Sequence, residues 1–225
     1  MTEDGTALRQ RIESLLRDAR SLEESAAQLE AMRGRFRLGV IPTVAPYILP
    51  PLLSALRASH PALLLELRET VTDTLTEELL AGRLDAMVIA LPVRHSALHV
   101  EPLFEDGFRL AVPAADPGFI DPPVAPESPA LERLMLLEEG HCMRDQALAL
   151  CGAARPAALS NFGATSLTTL LQMVAHGQGL TLVPEMAVRS GTLPADIRVV
   201  PFSAPQPSRT LGLVWRRNAS RQADC

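Results

Sequence analysis

At 225 residues and 47% hydrophobic content the chain can fill one large or two small cores, and three cysteines are too few for a disulfide scaffold. Its net charge of −5, with 21 basic residues that are all Arg and scattered, makes it a poor grip on DNA by itself. With no run of 18 apolar residues and no basic-then-apolar leader, the sequence argues against a membrane span or secretory signal and for the cytoplasm.

From the start, Leu8, Ile12, Leu15, Ala19, Leu22, Ala26 and Leu29 alternate spacings of four and three among mostly polar residues. That heptad seam predicts a long helix that pairs with another helix, most simply its copy in a second chain; the alternative is a helix lying on the chain's own surface. From Arg37 the pattern changes to short apolar runs and helices in alternation. Strands are expected at Leu38–Ile41, Leu63–Glu69 and Ala86–Ala90, with helices at Leu49–Ser59 and Thr74–Gly82 between them. This is the α/β rhythm of a mainly parallel sheet. Thr43 follows the first strand and Thr72 the second, and ligands of open α/β sheets gather at such carboxyl ends. Helix capping accounts for the same threonines equally simply.

Leu98–Glu105 and Phe108–Val112 read as two further strands, followed by a Pro-rich loop over 113–129. Beyond the apolar Leu134–Leu137, the run Glu138-Glu139-Gly140 marks a turn, and Asp145–Leu150 is helical in composition. The remaining elements are a strand at Ala157–Asn161, a helix at Ser166–His176, a strand at Leu180–Val183, a helix at Glu185–Arg189, and strands at Ile197–Phe202 and Thr210–Trp215.

Between these elements lies the stretch GHCMRDQALALC, from Gly140 to Cys151. Cys142 falls near a helix start, where free N–H groups, the dipole and the neighbouring His141 and Arg144 favour a thiolate nucleophile. Cys151 comes nine residues later. In a continuous helix the two would be about 13–14 Å apart on opposite faces, whereas a disulfide needs Cα atoms within about 7 Å. The pair is therefore either a conformational switch or two unrelated small core residues. A zinc site is weakly supported by one His and two Cys at this spacing, and a cysteine hydrolase would need a third orienting group.

The same stretch resembles the redox motif of the hydrogen-peroxide-sensing members of the LysR-type transcriptional regulators. Two other runs share the likeness: Gly39 to Pro51, and Ala164 to Leu167 with Met173 to Pro184. It extends from about Thr2 to Trp215. The resemblance implies an α/β fold of two periplasmic-binding-protein-like lobes with a cleft between them, preceded by a long linker helix. It divides the chain into linker (residues 1–35), lobe I (36–105 and 205–225) and lobe II (106–204). Thr2 to Gly5 resembles the end of a winged helix-turn-helix wing. Only five residues precede Thr6, so DNA contact is expected only through an N-terminal domain absent from this chain.

By the same resemblance, peroxide oxidises Cys142 to a sulfenic acid, Cys151 resolves it as a disulfide, and the lobe and oligomer rearrange to switch transcription of oxidative-stress genes. Thr43, Thr72, His141 and Asp145 match positions around the peroxide, and Arg144 and Arg209 match positions that hold the reduced site. No cofactor and no metal are expected. The implied partners are a second or further copies in a homodimer or homotetramer, RNA polymerase and a thiol reductant, with no membrane. The protein would be a sensor and not an enzyme, oxidised once per subunit until reset. The rival is a regulatory domain that binds a metabolite in the cleft, with incidental cysteines.

Overall fold

The computed structural model describes residues 32–115, 120, 122–125, 128–151, 164–219 and 224. Residues 1–31 of the expected linker (1–35), the strand at 157–161, Cys225 and the Cys151 side chain lie outside this description.

Strand β1 (Gly34–Val40) pairs in parallel with β2 (Leu63–Glu69) and with β3 (Ala86–Ala90). Parallel neighbours require crossovers, which α1 (Ala45–Ser59) and α2 (Thr72–Leu80) provide. The central β3 is buried at every position, so its five residues are all apolar. Leu75 and Leu79 share one face of α2 and are fully buried, each stabilising the lobe by about 1.5–3 kcal/mol over an exposed side chain. Gly39 of β1 makes room for Leu75 and for Leu84: a Cβ there would come within 2.7 Å of the first and 2.8 Å of the second.

Helix α1 begins four residues before the expected Leu49. Pro46 takes the second helical position, where no N–H is required, and Pro50 and Pro51 lie inside the helix on its exposed side. Helix α2 likewise starts at Thr72 in place of Thr74.

The main departure from expectation is β4, a single strand over Leu98–Pro113. Its acidic pair and Gly107 look like a break, yet Asp106 and Gly107 stay in register with Arg209 and Ser208 of β7 (Ser208–Arg216). The ladder shifts between Pro102 and Phe104, before this point. Beyond it, β4 continues antiparallel to β5 (Thr181–Pro184) and β6 (Ile197–Val200). The order is β2-β1-β3-β7-β4-β5, with β6 also on β4. Leu134–Leu137 is buried but makes only isolated parallel bridges, Leu134 to Leu180 and Leu137 to Ala164.

Two apolar cores result, one for each lobe. The first joins β1, β3, α2 and the end of β7; the second joins the later half of β4, β5, α3 (Cys142–Cys151), α4 (Leu167–Ala175) and α5 (Glu185–Arg189). β4 and β7 run side by side through the junction, which positions Asp106 and Arg209 between the cores.

Candidate functional site

Three chain segments meet at the junction: the loop after β1, the start of α2 and the start of α3. Gly140 turns the chain with φ 89°, a conformation that favours glycine, and Cys142 becomes the first residue of α3. Met143 and Ala147 sink into the second core while Cys142 packs against the first, so the helix presents its thiol across the junction. Thr43, Thr72, Gly140, His141 and Cys142 line a shallow recess.

Cys142 is a free, half-buried thiol. Burial pushes its pKa above the ordinary value and Asp145 adds to the rise; Arg209, the Thr72 hydroxyl and the Met143 N–H oppose it. Burial lowers the pKa of His141 against the opposing charge of Glu138, so its imidazole is neutral at physiological pH. These directions correct the expectation that the helix start, His141 and Arg144 hold a thiolate. Desolvation outweighs them, and the resting group is a thiol. The cation acting on the sulfur is Arg209, contributed by β7.

Arg209 is anchored on all sides. Its Nε and Nη2 donate to Asp106 Oδ2 at 3.1 and 3.0 Å, its Nη1 to Thr43 Oγ1 at 2.8 Å and its Nη2 to the Thr43 carbonyl at 3.1 Å. Because Thr43 Oγ1 accepts from the guanidinium, its own hydrogen is left to donate elsewhere. Thr72 Oγ1 is buried without a hydrogen bond of ordinary geometry, although its hydroxyl lies close enough to the sulfur to favour the thiolate. A buried hydroxyl without a full partner is suited to a small polar guest.

The structure thus brings Thr43, Thr72, His141, Cys142 and Arg209 together. Asp145 is exposed on the first turn of α3 and reaches the thiol only through its charge. Arg144 turns away, donating from Nη1 to the Leu137 carbonyl at 2.9 Å, where it ties the turn to the helix. Among the described residues, no group of three Cys, His or carboxylate residues is placed to hold a metal. Sequence reasoning missed Asp106 and Tyr47. The Tyr47 hydroxyl has its pKa raised by burial, with Arg209 and Asp106 acting in opposite directions on it. No local signal marks Asp106, whose partner lies 103 residues further along the chain.

A sequence profile described as the LysR substrate binding domain matches residues 30–224. The chain is 38% identical over 216 residues to a hydrogen peroxide-inducible genes activator from Dickeya chrysanthemi, covering 96% of this chain and 71% of that protein. It is equally similar, with the same coverage, to the DNA-binding transcriptional dual regulator OxyR of Escherichia coli K12. Among solved structures, full-length OxyR from Pseudomonas aeruginosa, a cysteine-to-aspartate variant, matches with a TM-score of 0.80 at 32% identity, covering all of this chain and 75% of that one. The reduced regulatory domain of OxyR2 from Vibrio vulnificus matches with a TM-score of 0.79 at 35% identity, covering 88% and 93%. With the two-lobed fold and a cysteine at the lobe junction, these likenesses establish that the chain belongs to the LysR family of transcriptional regulators, in its OxyR group.

Proposed function

We propose that this chain is the redox-sensing regulatory part of a hydrogen-peroxide-responsive activator, with Cys142 as the reacting thiol and Cys151 as the resolving one. The observation that carries the reading is the convergence of a thiol, two threonine hydroxyls and a neutral imidazole on one recess between the lobes.

Peroxide enters the recess and Cys142 loses its proton. The thiolate attacks one peroxide oxygen; the S–O bond forms, the O–O bond breaks, and hydroxide leaves and takes up a proton as water. Thr43, Thr72 and Arg209 are the donors that would offset the charge on the departing oxygen. His141 lines the peroxide site and Asp145 its outer edge, while Arg144 holds the reduced turn. Cys151 then attacks the sulfenic sulfur, releasing water and forming the disulfide. Both cysteines belong to one helix of ten residues, about 13–14 Å apart by helical rise, so α3 must unwind before they can join. A dithiol reductant reverses the step, giving one oxidation per subunit per cycle and no catalytic turnover.

The reading divides the chain into a linker helix (1–35), lobe I (36–105 and 205–225) and lobe II (106–204); two separate apolar cores support the lobes. It assigns the protein to the cytoplasm, as a homodimer or homotetramer that acts on DNA and RNA polymerase. Among the described residues no helix is long and apolar enough to cross a membrane.

The test is one equivalent of peroxide on reduced protein, with the thiols mapped by peptide mass spectrometry against free cysteine. The expected result is a rapid Cys142–Cys151 disulfide, reversible by dithiol. Reaction at Cys142 no faster than free cysteine would exclude peroxide sensing and send the search to metabolites.

A further inference from the structure

We propose that Asp106 is a positioning residue for the reactive thiol: buried where β4 passes between the lobes, it clamps Arg209 and balances its charge, and so governs how strongly Arg209 acts on Cys142. The inference rests on Cys142 being the reacting residue.

The pair is built for this role. Arg209 and Asp106 side chains are 0% and 3% exposed, so water screens neither of them. Both Arg209 bonds to the carboxylate end on Oδ2, while Oδ1 accepts the Met186 N–H at 3.1 Å. Asp106 therefore links β7 to the start of α5, and the guanidinium carbon lies 5.5 Å from the centre of the Phe108 ring. Arg209 also donates to Thr43, which lines the thiol recess, and its Nη2 approaches Met186 Sδ at 4.0 Å. An unbalanced guanidinium at this depth would draw strongly on a nearby sulfur to shed its proton; a carboxylate in direct contact turns that charge into a dipole with a much shorter reach. The other groups acting on the thiol are Asp145 and the Met143 N–H from α3 and Thr72 from α2; His141 lines the recess in its neutral form, Glu138 acts on His141, and Tyr47 of α1 feels both members of the pair. Asp106 thus limits the pull of Arg209 on a resting sulfur that burial keeps protonated, and holds Arg209 in place to meet negative charge when it develops.

The measurement is the pH profile of Cys142 alkylation by iodoacetamide on the whole chain, followed by peptide mass spectrometry. Asp106→Asn keeps the size and an acceptor for Arg209 but removes the charge. It is expected to lower the thiol pKa by about one unit, which gives about tenfold faster alkylation at pH values below it. Asp106→Glu restores the charge and should return the profile toward wild type. An unchanged or raised thiol pKa in folded Asp106→Asn overturns the proposal. If near-ultraviolet circular dichroism shows that Asp106→Asn does not fold, because a lone buried Arg is costly, Arg209→Gln is compared with the Asp106→Asn/Arg209→Gln pair. The single variant leaves the carboxylate unbalanced and should show the higher thiol pKa; equal values overturn the proposal. Iodoacetamide involves no peroxide, so a wild-type chain inert to peroxide would defeat the sensor reading and leave this result standing.

Discussion

Thr72 carries a buried hydroxyl that gains little from folding, since it lacks a partner of ordinary geometry. Replacing it by Val removes a polar group that costs about 1–3 kcal/mol to bury unpaired. Thr72→Val is expected to hold or raise the urea midpoint while slowing the peroxide reaction of Cys142 about a hundredfold, the lower end of the scale for losing one donor near developing charge. Stopped-flow kinetics and equilibrium unfolding on the same sample check both halves. The two titrating groups of the recess also give opposite pH dependences. The folded pKa of Cys142 lies above its unfolded value, so its contribution to stability is whole below about pH 8.5 and disappears as pH rises through the folded value. The folded pKa of His141 lies below its unfolded value, so its contribution is present above about pH 6.5 and disappears as pH falls through the folded value. Wild type should therefore lose urea resistance relative to Cys142→Ser on the alkaline side, and relative to His141→Gln on the acid side.

Among the elements, α3 carries the proposed switch and β4 is the frame. In the proposed mechanism the reduced helix opens for Cys151 to reach Cys142, so anything that weakens the helix favours the disulfide. Ala149 is exposed in its last turn. Ala149→Pro costs a helix interior about 3 kcal/mol, which for a two-electron couple moves the reduction potential about 60 mV more negative. Equilibration with glutathione or dithiothreitol buffers measures the shift, and an unchanged potential would mean that the helix does not oppose the disulfide. β4 shows how local pattern misleads: Glu105, Asp106 and Gly107 have turn composition, but Asp106 is kept in the strand by a buried guanidinium on β7. The extra stabilisation comes from a contact that no window along the chain contains. α1 makes the same point with two prolines, which the exposed side of the helix tolerates.

For the whole molecule, the apolar spacing of Leu8, Ile12, Leu15, Leu22 and Leu29 predicts self-association. Leu15→Asp with Leu22→Asp is expected to reduce the mass measured by light scattering toward a single chain at micromolar concentration, with the two lobes still folded by circular dichroism. A mass unaffected by the pair would assign oligomerisation to another surface.

The α/β class, the positions of most strands and helices, the turn at Gly140 and the candidacy of Cys142 were legible along the chain, because hydrophobic period, turn chemistry and a short motif are properties of neighbouring residues. The sequence also marked Thr43 and Thr72, by their place after strands and by likeness to a family, and Arg209 by that likeness alone. Only the tertiary structure decided the protonation of the thiol, which burial controls; the aim of Arg144, which turns to the Leu137 carbonyl; and the part of Asp106. Those depend on depth and on contacts between residues far apart in the chain, and desolvation and charge pairing exist only once the two lobes have closed around them.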